Sequence, residues 1–154
     1  MNLSADLNAD LGEGAASERE LLSLVSSANI ACGFHAGDPN SMTASIMAAK
    51  EAGVAVGAHP SLADRDHFGR RELPVSPSDV FALVVYQVGA VQAIATSVGV
   101  RPNHVKPTCP LSNTAPRHPP PARAVPHGPR AVRPEQQRHH LAARVVSARP
   151  SPWQ

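Results

Sequence analysis

Aromatic side chains are scarce: three Phe, one Tyr and one Trp in 154 residues, and beyond Tyr86 only Trp153. Cysteine is scarcer still, and Cys32 and Cys109 cannot form the multi-bridge framework of a small secreted domain. No run of about 18 apolar residues stands out, so no spanning helix is expected. The first twenty residues carry Asp6, Asp10, Glu13, Glu18 and Glu20, with neither a basic start nor an apolar stretch of the kind that directs secretion. A cytoplasmic chain making no use of a membrane is the expectation. There is no Walker loop, so nucleotide binding cannot be read from local spacing.

What is present is unevenly distributed. Residues 1–100 hold five Lys and Arg against eleven Asp and Glu, whereas residues 101–154 hold nine against one. Twelve of the sixteen prolines lie beyond residue 100, but only one of the ten glycines, Gly128. The net charge of +2 is therefore two unlike segments cancelling, not one uniform domain.

The first segment reads as alternating strands and helices. Residues 2–7 suggest a first strand, followed by a Gly-rich loop with Asp10 and Glu13. Ser17 and Glu20 have the spacing of a capping box ahead of a short helix over about 18–26, with Leu21, Leu22, Leu24 and Val25 as its apolar face. Asn29–Cys32 reads as a buried strand, and Asp38 or Asn40 is placed to cap a helix running to Ala52. Gly53 stands where a left-handed cap is wanted. Val54–Ala58 is a third strand. Ser76-Pro77-Ser78-Asp79 opens a helix reaching about Val98, with Phe81, Val84, Val85, Val88, Val91 and Ile94 at helical spacing. His104-Val105-Lys106 begins a fourth strand. Met42, Met47 and Cys32 read as core. This order predicts a parallel sheet with right-handed crossovers. From Pro107 the pattern stops; residues 116–134 are too Pro-rich for a helix or a central strand and read as disordered. Residues 136–148 offer at most a weak helix.

In such a layout, residues after each strand meet at one rim, where α/β folds place their sites. Asp6, Asn8, Asp10, Gly12 and Glu13 follow strand one; His35 and Asp38 follow strand two; His59 follows strand three, with Asp64, Arg70 and Arg71 in the same loop. Lys106 ends strand four. Neighbouring carboxylates can divide acid and base roles, and a lysine can steady a developing oxyanion or a phosphate. His35, His59 and Asp10 offer a divalent metal three ligands. Against this stand plainer roles: carboxylates that cap loops, histidines that pack, and a solvated arginine pair.

The blocks Asp6-Leu7-Asn8-Ala9-Asp10-Leu11-Gly12-Glu13-Gly14, Ser27 to Pro39, Gly57-Ala58-His59-Pro60-Ser61, Phe68-Gly69-Arg70-Arg71, Tyr86 to Ala90 and His104-Val105-Lys106-Pro107 together resemble the LamB/YcsF family, over about residues 1–107. The resemblance implies the N-terminal half of an irregular (β/α) barrel of the glycoside hydrolase/deacetylase type. It implies the A component of a 5-oxoprolinase, which opens 5-oxo-L-proline to L-glutamate with ATP hydrolysis, together with partner subunits B and C. On that reading Asp10, Glu13, His35, His59 and Lys106 are catalytic, and Asp6, Asn8, Gly12, Asp38, Arg70 and Arg71 bind substrate or ATP. A divalent metal on Asp10, His35 and His59 is a further expectation.

The resemblance breaks after Pro107, where the family's histidine and glycine are replaced by Thr108 and Cys109 and its tyrosine by Ser112. The Pro/Arg/His-rich tract beyond is what out-of-frame translation of a GC-rich gene yields, so residues 108–154 are expected to be a disordered or frame-disrupted tail, and the chain an inactive fragment. Two alternatives stand beside this reading. One is a metal-dependent deacetylase-like hydrolase on the same barrel, the other a non-enzymatic truncated product. The arginines lack interleaved aromatics, so specific nucleic-acid binding is not expected.

Overall fold

The computed structural model describes residues 6–108 and 110–111, with the backbone of 137–138. Strands β1 (Asn8–Leu11), β2 (Ser27–Ala31), β3 (Ala55–His59) and β4 (His104–Val105) alternate with helices α1 (Glu18–Leu22), α2 (Pro39–Glu51) and α3 (Pro77–Ser97). A two-residue strand β5 (Gln137–Arg138) pairs with β4. The sheet order is β1-β2-β3-β4-β5, and every pair is parallel.

Alternation along the strands divides the sheet into two chemically distinct faces. The register sets Asn8 beside Ser27, Asp10 beside Asn29, Asn29 beside Gly57, Ala31 beside His59 and Gly57 beside His104. One face is therefore polar. The other carries Leu11, Ala28, Ile30, Val56, Ala58 and Val105, all buried in one core. Met42, Ile46 and Ala49 from α2 complete that core, with Val80, Val84, Val88, Val91 and Ala95 from α3. At roughly 25 cal/mol per Å² of apolar surface removed from water, this one-sided burial is the main force fixing the layout.

The helix ends follow the sequence. Asp38 caps α2, its carboxylate accepting from the Asn40 and Ser41 amides at 2.8 Å each, and Ser76 forms a reciprocal box with Asp79 at the start of α3. Gly53 and Gly99 take positive φ just past α2 and α3. Gly57 is required for a different reason: a Cβ there would fall 2.1 Å from the His104 ring, which lies across β3.

Several expectations are corrected. The first strand begins at Asn8, while residues 2–5 lie outside the described residues. Asn and Asp are poor strand formers by propensity, but here Asn8 and Asp10 point to the polar face. The second strand starts at Ser27 and the third at Ala55, each displaced slightly from its expected bounds. Ser17 makes no side-chain cap bond, α1 ends at Leu22, and Leu24 is exposed. Met47 is exposed on α2, whereas Met42 and Cys32 are core. Helix α3 has a mean hydropathy of 1.6 over 18 residues, enough by length and composition alone to cross a membrane, but one face of it packs into the core. Its only charged residue is Asp79. Residues 116–134 and Cys109 lie outside the described residues, and within the expected weak helix Gln137–Arg138 is a strand.

Candidate active site

The rim above β1 to β4 is built from strand ends and the turns that follow them. Lys106, just past β4, donates from Nζ to both carboxylate oxygens of Asp10 on β1, at 2.8 and 2.9 Å. Asn29 on β2 donates to the same carboxylate at 2.7 Å. His59, closing β3, brings Nε2 to 3.7 Å from Asp10 Oδ2 and 3.9 Å from Glu13 Oε1. His35, in the turn after β2, brings its Nε2 to 3.1 Å from that same Glu13 oxygen.

Each imidazole is fixed from behind. His59 Nδ1 meets the Lys106 carbonyl at 2.5 Å, an acceptor that requires a proton on Nδ1 and leaves the Nε2 lone pair facing the rim. His35 Nδ1 meets Ser61 Oγ at 2.8 Å. Ser61 is in turn held by Gln87 from α3, which accepts from the Ser61 amide at 2.9 Å and donates to its carbonyl at 2.8 Å. The two imidazoles stand edge to face, with centroids 5.2 Å apart. Ligand atoms of Glu13, His35 and His59 all lie within 4.8 Å of one another.

The electrostatics follow from this packing. Burial pushes the Asp10 carboxyl up, but His59, Lys106 and Asn29 together outweigh it, so Asp10 sits below the ordinary carboxylate range. Burial pushes His59 down, only partly opposed by Asp10, so the ring favours its neutral form. Burial raises the Cys32 thiol to about 12, consistent with an inert core residue.

All five residues expected to be catalytic, Asp10, Glu13, His35, His59 and Lys106, thus belong to one connected cluster. The three whose ligand atoms converge are His35, His59 and Glu13, with Glu13 where Asp10 was expected; Asp10 stands beside them, bonded to Lys106 and Asn29. The expected binding residues are placed elsewhere. Asp6 precedes β1, at the end of the strand away from Glu13, where it accepts from the hydroxyls of Ser26 and Ser27. Asn8 lies within β1 and bonds to Ser27 and Asn29. Asp38 caps α2. Arg70 is exposed, and Arg71 pairs at 3.3 Å with the buried carboxylate of Asp64. Gly12 takes positive φ, and its amide joins those of Glu13 and Gly14 in donating to Glu18 Oε1 at 3.0–3.1 Å.

Sequence reasoning passed over Asn29, His104, Glu18, Ser61 and Gln87. Asn29 is fully buried and links Asn8, Asp10 and His104, whose Nε2 lies 2.9 Å from Asn29 Oδ1. The available signal was the alternation Ser27-Ala28-Asn29-Ile30-Ala31, which puts polar side chains on a single face.

The chain matches the LamB/YcsF family over residues 5–148, a span that continues well past Pro107. It is also similar to the crystal structure of a lactam utilization protein from Thermus thermophilus, with 40% identity and a TM-score of 0.87. That likeness covers 94% of this chain and 62% of the Thermus chain.

Proposed function

The chain belongs to the LamB/YcsF family, and from that membership we propose that it carries the ring-opening site of a 5-oxoprolinase. It is the A component of that cytoplasmic enzyme, which subunits B and C complete. The observation that carries the reading is the Asp10–Lys106 pair beside Glu13, His35 and His59 in a chain 40% identical to a lactam utilization protein. 5-Oxoproline is a lactam. On this reading the sheet is the front part of a (β/α) barrel whose polar face looks inward.

Three residue roles follow. A water molecule within hydrogen-bond reach of Glu13 and the histidines is oriented towards the lactam carbonyl carbon. Asp10, held ionised, takes a proton from that water as the C–O bond forms. Lys106 donates to the carbonyl oxygen as negative charge develops there. The C–N bond then breaks, the proton passes from Asp10 to the departing ring nitrogen, and an amino acid results.

The family resemblance also implies ATP. The amides of Gly12, Glu13 and Gly14 form the sort of concavity that receives a phosphate oxygen, but Glu18 of the same chain fills it. That concavity is therefore closed to a triphosphate, and on this reading the ATP hydrolysis that drives ring opening belongs to the partner subunits.

The test is ATP-dependent glutamate formation from 5-oxoproline by this chain with both partner subunits, run beside Asp10→Asn. Turnover reduced at least about 100-fold by the substitution is the expected result, in line with loss of a general base. Turnover indifferent to Asp10 would sink the assignment. The inactive fragment expected from the sequence would give no turnover here while the longer Thermus protein is active under the same conditions, and that outcome would restrict the reading to common descent. A metal-dependent deacetylase-like hydrolase is the second reading, favoured by the convergence of Glu13, His35 and His59; release of acetate from N-acetylated sugars would distinguish it.

A further inference from the structure

We propose that Glu13, His35 and His59 form a binding site for one divalent cation of the zinc, cobalt(II) or iron(II) class. The site lies on the same rim as the proposed ring opening, but cation binding stands or falls without any turnover.

Two imidazole nitrogens and a carboxylate oxygen, each from the end of a different strand, come within 4.8 Å of one another. Ligands about 2.0–2.2 Å from a shared ion are separated by distances of this order or less. Both histidines are almost completely buried, whereas Glu13 is partly open to solvent, leaving room for water or substrate as a further ligand. Open positions on a two-histidine, one-carboxylate set are a feature of reactive rather than purely structural centres.

The surroundings of the two rings provide an independent indication. A metal-binding histidine characteristically uses its second nitrogen in a hydrogen bond that fixes tautomer and orientation. Here both Nδ1 atoms are so engaged, His59 with the Lys106 carbonyl and His35 with Ser61 Oγ, and both Nε2 atoms face the same Glu13 oxygen. Ser61 is itself braced by two hydrogen bonds to the buried Gln87. Mere packing of two histidines does not require that shared direction. Asp10 stands beside the site, 3.7 Å from His59, but Lys106 neutralises it.

The experiment uses the full 154-residue chain, stripped with chelator and titrated with cobalt(II), then with zinc(II) in competition. A visible ligand-field band saturating at one cobalt per chain, displaced by zinc, is the expected result. Glu13→Gln and His59→Gln should each weaken cobalt binding at least about tenfold, the scale on which metal-site substitutions act. The double variant His35→Gln/His59→Gln should abolish the band. Far-UV circular dichroism establishes that each variant is folded, and Glu13→Gln, at a partly exposed position, guards against loss of the buried histidines unfolding the chain. His118, His127, His139 and His140 offer a competing source of binding. A band that survives the double variant would assign the metal to them and overturn the proposal, as would a folded wild-type chain that takes up no cobalt.

Discussion

At the scale of single residues, burial decides which charged groups structure the loops. Asp64 is almost wholly enclosed, yet it is satisfied by the Arg71 amide at 3.0 Å, His67 at 2.9 Å and the Arg71 guanidinium at 3.3 Å. Burial pushes its carboxyl up, but these partners outweigh it and hold it below 3.8. A folded-state value below the unfolded one gives stability that is present above about pH 3.8 and is lost as pH falls through the lower folded value. Asp64→Asn should therefore flatten the acid limb of a plot of stability against pH, as followed by urea unfolding. An unchanged limb would show that Asp64 plays no part. The residues that defined the rim were legible in the sequence because Asp10, Glu13, His35, His59 and Lys106 are chemically conspicuous and recur at strand ends. Asn29, Ser61 and Gln87 were not, because a polar side chain in an apolar run reveals its role only when its face is known.

At the scale of elements, the same physics explains what was legible in the fold. Cap chemistry is local, so Asp38 and Ser76 fixed the starts of α2 and α3, and glycine fixed the turns after them. Strand bounds depend on pairing across the sheet, so β1 could not be placed from its own four residues; Asn8 and Asp10 resemble loop formers until β2 presents Ser27 and Asn29 beside them. Helix α3 shows how an element serves the site at a distance. Its buried face is apolar except for Gln87, whose amide completes both backbone groups of Ser61. Gln87→Leu leaves that buried N–H and C=O without partners. The expected loss is about 1–3 kcal/mol of stability, seen as a lower urea midpoint at unchanged slope. It should be accompanied by weaker cobalt binding, since Ser61 orients His35. A fall in stability with cobalt affinity intact would separate Gln87 from the site.

At the scale of the whole molecule, three successive strand ends contribute one group each to the cluster, Glu13 after β1, His35 after β2 and His59 on β3. An ion held there ties together parts of the chain between residues 13 and 59 that the unfolded state leaves independent, so its binding energy is folding energy. For a ligand that binds only the native state, free metal at about 100 times its dissociation constant adds about 2.7 kcal/mol. In a chain of this length each kcal/mol raises the melting temperature by about 2–4 °C. Zinc at that excess should therefore raise the transition followed by circular dichroism by about 5–10 °C, and a chelator should reverse it. The rise should vanish in His35→Gln/His59→Gln while the metal-free melting of that variant remains cooperative. An equal rise in the double variant would mean that the metal acts elsewhere in the chain, and that the polar rim holds its shape through the Asp10–Lys106 and Asn29 hydrogen bonds alone.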